Sequence, residues 1–327
     1  MKLHENKTLF RQAVQFTSDQ MKILPIYIEK DYWVTYALYT LFHDAIGKET
    51  VFKGGTALSK CYSMIERFSE DIDLVVFKKG EESGNQLSNK IKRIGKVVDA
   101  VLPEVIIEGL TRKMGMNRKT AHSYHKEFDG EYGQVRDVIV VEATWLGNSE
   151  PYTTKPIASM VGKMMLEGGQ QEIARDNGLT PFEVRVLDPR RTICEKIMSL
   201  VRFSYDEAPI KTLKDKIRHC YDLHQLLKTE EFSLFLDGDE FDSLLRKVGC
   251  DDVQSFKNNN AWLIHHPNEA LIFRSLNEIW KELNTSYNDD FKTMVYGELP
   301  NDDDVLLTLK RIKARMKSIS WDVKVDK

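Results

Sequence analysis

The stretch VFKGGTALSKCYSMIERFSEDIDLVVF, residues 51–77, decides how the rest of this chain is interpreted. It joins a glycine pair, a short segment with helical periodicity and an apolar run that opens on two aspartates. Apolar, β-branched residues at its end predict a strand, and the spacing of apolar residues after Thr56 predicts a short helix. The stretch therefore predicts a helix followed by a strand that carries charge.

The two aspartates share one face of the predicted strand. Side chains alternate between faces in an extended segment, so Asp71 and Asp73 point one way while Ile72 and Leu74 point the other. Their Cα atoms are expected about 7 Å apart. Carboxylates at that separation can hold one or two divalent cations, and hard oxygen ligands suit Mg²⁺.

Gly54 and Gly55 stand immediately before the predicted helix. Glycine lets the backbone approach a ligand closely, and the unpaired amides of a helix that opens at Thr56 attract phosphate. A glycine pair alone is usually a turn, and an acid pair alone is usually a solvated surface. Because these acids open an apolar strand, where charges need partners, the combination favours a nucleotide-handling site.

KGGTAL, residues 53–58, followed by RFSEDIDL, residues 67–74, resembles the Gly-Gly and Asp-x-Asp motif of the nucleotidyltransferase superfamily. It is more closely similar to the AbiEii/AbiGii family, the toxins of type IV toxin–antitoxin systems, whose first motif has Gly-Gly and then Arg-x-Ser-x-Asp-x-Asp. The resemblance implies an α+β fold, with a nucleotidyltransferase-like mixed sheet and helices followed by a mostly α-helical C-terminal domain. It also implies that metal is bound by Asp71 and Asp73, and the nucleotide by the motif residues Lys53, Gly54, Gly55, Thr56, Arg67 and Ser69.

Composition limits the partners of this chain. Its 327 residues suffice for one large or two medium domains with a sizeable core. With 47 basic and 50 acidic residues the net charge is −3, so an RNA partner needs a local basic patch and no DNA partner is expected. The four cysteines form no Cys-x-x-Cys pair and predict reduced core thiols. The amino terminus lacks the apolar core of a signal peptide, and no later run approaches the roughly 20 apolar residues of a membrane span. We therefore expect a cytoplasmic protein without a membrane partner.

Hydrophobic periodicity predicts three parts. Residues 1–48 are predicted to form a lead-in of two helices, and residues 161–327 a helical domain. The resemblance implies that residues 49–160 form the catalytic core, on which the lead-in packs, and that the helical domain completes the cleft. Within the core we predict a helix near residues 86–102 and strands within residues 103–112, 119–130 and 134–146.

Helices are predicted to dominate from about residue 155. The clearest is DPRRTICEKIMSLVRF, residues 188–203, in which Asp188 can cap the helix and Pro189 fits its first position. A second helix is predicted for TLKDKIRHCYDLHQLLK, residues 212–228.

Glu142 is a charge in the middle of an otherwise apolar strand, VIVVEATW, residues 138–145. Nucleotidyl transfer uses divalent ions to stabilise developing charge, often with a further acid to hold them. Glu142 resembles the third acid of the superfamily, which would complete the metal set with Asp71 and Asp73. The alternative is that Glu142 lies on the solvent face of a one-sided sheet, since the sequence does not determine the strand register.

Lys196 lies about 60° from the centre of the apolar stripe of its helix, which includes Ile193 and Ile197. Such a lysine commonly packs along apolar neighbours with its ammonium in solvent. The AbiEii-like pattern, however, has a Glu-Lys pair in a helix like this one, and Glu195-Lys196 matches it. The resemblance therefore implies that Lys196 holds the triphosphate.

Asp222 projects away from the apolar stripe of its helix, so the pattern alone predicts a solvated residue. The family carries a functional aspartate in an Arg-x-x-x-Asp-Leu segment, which Arg218 to Leu223 matches. The resemblance implies that Asp222 orients Lys196 or acts as a base. A usual version has Arg-Asp directly before Tyr-Asp-Leu, whereas this chain has His219-Cys220, so a helper acid is missing.

Other candidates are weaker. His122 and His125 are three apart in a predicted strand, which places them on opposite faces, a poor arrangement for a metal. The chain has no Gly-x-x-x-x-Gly-Lys-Ser/Thr string, which argues against a P-loop NTPase. Basic residues that could contact RNA occur in TRKMGMNRK, around Arg190-Arg191 and in KTLKDKIR, although each is more typical of a solvated face.

These motifs predict a Mg²⁺- or Mn²⁺-dependent nucleotidyltransferase with an NTP as substrate. Its predicted catalytic residues are Asp71, Asp73, Glu142, Lys196 and Asp222. The resemblance implies a type IV toxin that modifies RNA, such as a tRNA 3′ end, and is countered by a separately encoded antitoxin. The alternatives are transfer to a protein or small molecule, and a nucleotide-binding regulator without turnover, for which a missing metal acid is expected.

Overall fold

The computed structural model describes residues 1–69, 71–113, 115–131, 135–147, 149–256 and 259–325. The chain forms two compact units. The first comprises Met1–Ser63, Phe68–Trp145 and Tyr152–Val186, and the second Met64–Arg67, Leu146–Pro151 and Leu187–Lys327.

The first unit is built on a seven-stranded sheet of order β3-β4-β5-β2-β1-β7-β6. Its central strand β2 runs antiparallel to β1 and parallel to β5, so the sheet is mixed. The predicted α+β class with a mixed sheet is confirmed. The strands are β1 (Thr50–Lys53), β2 (Asp71–Val76), β3 (Glu104–Val105), β4 (Asn117–His122), β5 (Ile139–Thr144), β6 (Tyr152–Ile157) and β7 (Phe182–Leu187).

Helices flank this sheet. The two lead-in helices are present, and the helix predicted near residues 86–102 begins with a capping box formed by Ser83 and Gln86. Its Leu87, Ile91 and Ile94 are buried. The helices of this unit are α1 (Lys7–Met21), α2 (Pro25–His43), α3 (Gly54–Tyr62), α4 (Gly84–Asp99), α5 (Met160–Glu167) and α6 (Gln171–Asp176).

Strand boundaries differ from the prediction in two ways. The predicted strand at residues 119–130 ends at His122, so His125 lies outside it. Of the strand predicted within residues 103–112, only Glu104–Val105 forms a strand of the sheet. The sequence also missed β6, which spans the point at residue 155 where helices were predicted to begin to dominate, and β7, which follows it. The alternation of Phe182, Val184 and Val186 with charged residues is nevertheless a strand signal, and all three are buried.

The second unit is helical in the residues that the structure describes. As predicted, α7 begins at Pro189, and the Asp188 side chain caps it by accepting a hydrogen bond from the Arg190 amide. The single helix predicted at residues 212–228 is instead two, separated at Lys216 and Ile217. The helices of the second unit are α7 (Pro189–Phe203), α8 (Pro209–Asp215), α9 (Arg218–Leu227), α10 (Glu230–Asp237), α11 (Asp239–Ser255), α12 (Leu271–Arg274), α13 (Leu276–Asn288) and α14 (Asp302–Met316).

None of the helices in the described part of the chain combines the length and apolar character needed to cross a bilayer.

Candidate active site

A row of four charged residues crosses the sheet of the first unit at one level. In the strand register Lys53 pairs with Asp73, Asp73 with Glu142, and Glu142 with Lys119. Directly paired residues in a sheet place their side chains on the same face. The register that the sequence leaves open therefore puts Glu142 on the face of Asp73 and Asp71, with a lysine at each end of the row.

Gly54 is the first residue of α3, directly after β1, and lies against the carboxylate of Asp73. Its φ is +80°, in the left-handed region that favours glycine. A Cβ atom at this position would overlap Asp73 Oδ2. Gly54 is thus needed both for the backbone path and for the position of the acid, and Gly55 follows as the second residue of α3.

Thr56 connects α3 to the start of β2. Its side chain is 1% exposed, and Oγ1 lies 2.6 Å from the carbonyl oxygen of Asp71 and 2.9 Å from Ser69 Oγ. Since a carbonyl oxygen only accepts, the hydroxyl of Thr56 donates to it. Thr56 and Ser69 therefore fix the backbone that presents Asp71, which is a role within the protein that the sequence did not predict.

Asp73 is the acid whose charge is least favourable. Burial, together with the nearby carboxylates of Asp71 and Glu142, raises the pKa of Asp73 to about 7, against the opposing charges of Lys53 and Lys119. Because Asp71 and Glu142 make the ionisation of Asp73 less favourable, a cation bound beside these acids would stabilise the charged form of Asp73.

Glu142 is held by two residues of β4. Asn117 Nδ2 donates to Oε1 at 2.7 Å, and Lys119 Nζ donates to Oε2 at 3.1 Å. Burial alone would raise the pKa of Glu142, but the charge of Lys119 and these hydrogen bonds lower it. Glu142 therefore stays ionised, whereas Asp73 titrates near neutrality.

Arg136 is a site residue that the sequence analysis missed. Its Nη1 lies 3.4 Å from Asp71 Oδ1, and its side chain is 43% exposed. Its carbonyl oxygen accepts a hydrogen bond from Lys30 of α2. Glu29, the neighbour of Lys30, accepts from the amides of Glu127 at 2.7 Å and Phe128 at 3.2 Å. Helix α2 thus holds the backbone at Glu127, Phe128 and Arg136 through contacts about 100 residues apart in sequence.

The acid pair fits a divalent cation. Magnesium is usually bound by one or two carboxylates together with water and substrate phosphates, and Asp71 and Asp73 supply two carboxylates on one face. Within the described residues no group of three or more His, Cys, Asp or Glu side chains is arranged to hold a metal ion. A metal role for Glu142, whose two oxygens are engaged by Asn117 and Lys119, therefore stays a prediction.

In the second unit Asp222 lies at the centre of a buried charge cluster. Arg67 donates to both of its oxygens, Nε to Oδ1 and Nη2 to Oδ2, each at 2.7 Å. Lys196 Nζ also donates to Oδ2, at 2.6 Å. The exposed fractions are 0% for Asp222, 3% for Arg67 and 6% for Lys196. The expectation from the helical pattern that Asp222 is solvated was wrong, because a paired charge can be buried on the side of a helix away from its apolar stripe.

The cluster strongly favours the charged form of Asp222. Burial acts to raise the pKa of Asp222, but Arg67 and Lys196 together hold it well below its usual range. Burial lowers the pKa of Lys196, which the carboxylate of Asp222 partly offsets. An acid with both oxygens occupied and no exposed surface can orient its neighbours, and the roles predicted for Asp222, orienting Lys196 or acting as a base, stay predictions.

The arginine pair at the start of α7 divides between two environments. Arg191 is 1% exposed and binds Glu195 at 3.0 Å and Asp251 at 2.7 Å, so it links α7 to α11. Arg190 contacts Glu231 at 2.9 Å and is partly exposed. The sequence grouped both as possible RNA contacts, and burial excludes Arg191 from that role. Glu195, matched to the family's Glu-Lys pair, is engaged in the same contact.

Comparison with known proteins finds a match to one family. The family model described as nucleotidyl transferase AbiEii toxin, type IV TA system, matches residues 36–319. The curated proteins contain no significant match. Among solved structures, MenT4, a nucleotidyltransferase toxin from Mycobacterium tuberculosis H37Rv, is 15% identical with a TM-score of 0.46, over 90% of this chain and 98% of that chain. A structural likeness this remote does not bear on function.

Proposed function

This chain belongs to the AbiEii family of nucleotidyl transferase toxins of type IV toxin–antitoxin systems, and we propose that it transfers a nucleoside monophosphate from an NTP to RNA with the help of Mg²⁺ or Mn²⁺. The observation that carries this proposal is the charged row, in which Asp73 and Glu142 pair across β2 and β5 on the face that also bears Asp71. Nucleotidyl transfer needs carboxylates grouped in this manner beside a backbone that phosphate can approach.

Each element of the site has a place in this reaction. Asp71 and Asp73 would hold the cation, which would stabilise the negative charge that develops on the phosphates. The start of α3 at Gly54 and Gly55 would bind phosphate through backbone amides. Lys53, next to Asp73 in the row, and Arg136, beside Asp71, would offset the charge of the triphosphate. The acceptor hydroxyl oxygen forms a bond to the α-phosphorus, the bond to pyrophosphate breaks, and the hydroxyl proton passes to solvent.

The roles of the residues in the second unit are also part of the proposal. Lys196 would neutralise phosphate charge, and Asp222 would orient it together with Arg67. Support comes from the position of Lys196, whose ammonium contacts the same buried carboxylate as Arg67.

An RNA acceptor is supported by local rather than overall charge. The net charge of −3 repels a polyanion, but the backbone of Arg112 pairs with that of Lys119 at the end of the charged row. Lys113 follows, with a side chain that is 40% exposed and contacts Glu104 at 2.6 Å. Cationic side chains beside the acids would contact a phosphate backbone there. A tRNA 3′ end is the proposed acceptor, a separately encoded antitoxin is the proposed partner, and the cytoplasm is the proposed location.

The test is to incubate the purified protein with each labelled NTP, Mg²⁺ and total tRNA. Asp73→Asn keeps the shape of the side chain and removes its charge, and Asp129→Asn, at an exposed position, is the matched control. Label that enters RNA with the native protein and Asp129→Asn, but not with Asp73→Asn, supports the proposal. Label in protein instead of RNA would establish transfer to another acceptor, and NTP binding without any labelled product would indicate a regulator.

A further inference from the structure

Lys119 and Asn117 hold Glu142 in different ways. Asn117 binds Oε1 at 2.7 Å through a short side chain, which fixes the orientation of the carboxylate. Lys119 binds Oε2 at 3.1 Å through a long flexible stem, and its side chain is 24% exposed. Of the two contacts, that of Lys119 is the one that can break without moving the strand.

A divalent cation bound at Asp71 and Asp73 would compete with the ammonium of Lys119 for the carboxylate of Glu142. Glu142 lies between Asp73 and Lys119 in the charged row, so its carboxylate has a second acid on one side and the ammonium on the other. A cation held by Asp71 and Asp73 would add positive charge beside Glu142. Two positive groups near one carboxylate repel each other, and the mobile one is the group that leaves.

We propose that Lys119 is an exchangeable counter-ion of Glu142. In the free protein its ammonium neutralises Oε2, and when a cation binds at Asp71 and Asp73 the ammonium turns to the phosphates of the NTP. This inference rests on the proposed function for the identity of the cation and the nucleotide. It assigns to Lys119 a positioning role through Glu142 before substrate binds and a direct phosphate contact afterwards.

The exchange predicts two effects of opposite sign for Lys119→Met. Without nucleotide, Mn²⁺ should bind about tenfold more tightly, because a positive charge near the site is gone. With Mn²⁺ present, a fluorescent ATP analogue should bind about tenfold more weakly, because one phosphate contact is lost. Loss of a purely structural ion pair would weaken both or change neither.

The measurements are electron paramagnetic resonance of free Mn²⁺ and fluorescence titration of the nucleotide. Lys79→Met is the matched control, since Lys79 also pairs with a glutamate, Glu49 at 3.2 Å, and its side chain is 62% exposed. Lys119→Arg keeps the charge and should bind Mn²⁺ as the native protein does. In a Glu142→Gln background, Lys119→Met should raise Mn²⁺ affinity by clearly less than tenfold, because the exchange has lost its carboxylate.

Unchanged Mn²⁺ affinity in Lys119→Met, with the protein folded by circular dichroism, would overturn the exchange. If Lys119→Met does not fold, Lys119→Gln serves the same comparison. Both titrations are independent of turnover. A protein that shows the exchange but labels no acceptor would refute the proposed transfer alone, and a protein that labels RNA with no change in either titration would refute the exchange alone.

Discussion

Gly54 and Asp73 lie in such close contact that the carboxylate Oδ2 occupies the space where a Cβ atom on residue 54 would stand. This contact joins the first residue of α3 to the acid on β2. It explains in physical terms why a glycine begins the helix here, since the φ of +80° and the proximity of the acid both exclude a side chain.

Gly54→Ala should therefore impair both stability and transfer. We expect a loss of about 1–3 kcal/mol in the free energy of unfolding from backbone strain, and a displaced Asp73 that slows nucleotide transfer. The control is Gly84→Ala, at the first position of α4, where an added Cβ meets nothing within 4 Å. Urea denaturation and the labelling assay measure the two effects. Equal results for the two variants would contradict this account of Gly54.

Asp222→Asn should be among the most destabilising changes in the second unit. It removes the carboxylate that the buried cations of Arg67 and Lys196 both contact, and removal of one partner from a buried ion pair costs about 3–5 kcal/mol. Lys196→Met should cost less, because the bidentate pair of Arg67 and Asp222 remains complete.

Urea denaturation of both variants tests that order. Lys228→Met, at an exposed position after α9, is the control and should lie within about 0.5 kcal/mol of the native protein. A smaller loss for Asp222→Asn than for Lys196→Met would show that the cluster is not held by its carboxylate.

Local patterns predict the face of a side chain well and its partners poorly. Asp71 and Asp73 could be placed together from the sequence because alternation in a strand is a local property. Glu142 joins them only through the parallel pairing of β2 with β5, whose register depends on contacts about 70 residues apart. Asp222 was misplaced because a helical wheel records apolar residues, and its partner Arg67 is 155 residues away in sequence.

The same reasoning accounts for what was missed around the acids. Arg136 reaches Asp71 because Lys30 holds its carbonyl oxygen, and no periodic pattern marks such a contact. In contrast, β7 carries a readable alternation of Phe182, Val184 and Val186 and could have been predicted. β6 could not, since most of its residues are exposed at the edge of the sheet and it contains Pro156.

Asp73 should make the stability of the metal-free protein depend on pH. Its pKa is raised to about 7 in the folded state, so the folded protein binds a proton that the unfolded chain has released above about pH 4. Stability is therefore lost as the pH rises from about 4 to 7. Asp73→Asn removes this loss, so its gain over the native protein should be about 2 kcal/mol larger at pH 8 than at pH 5.5.

Urea denaturation in EDTA at the two pH values measures that gain. Saturating Mg²⁺ should stabilise the native protein at pH 8 and leave Asp73→Asn nearly unchanged, because a ligand stabilises only a protein that binds it. Asp129→Asn, at an exposed position, serves as the control at both pH values. A gain that does not change with pH would show that Asp73 is not the group whose ionisation opposes folding.

Substitutions of Thr56 test whether the position of Asp71 depends on the hydrogen bond to its backbone carbonyl. Its buried hydroxyl binds the Asp71 carbonyl oxygen, and Thr56→Val keeps the shape while leaving that carbonyl without this donor. The expected loss is about 1–3 kcal/mol in the free energy of unfolding, together with slower transfer from a less fixed Asp71. Thr56→Ser retains the hydroxyl and should recover most of the transfer rate, although it loses a buried methyl group. If Thr56→Ser is as slow as Thr56→Val, packing by the methyl group and not the hydrogen bond positions Asp71.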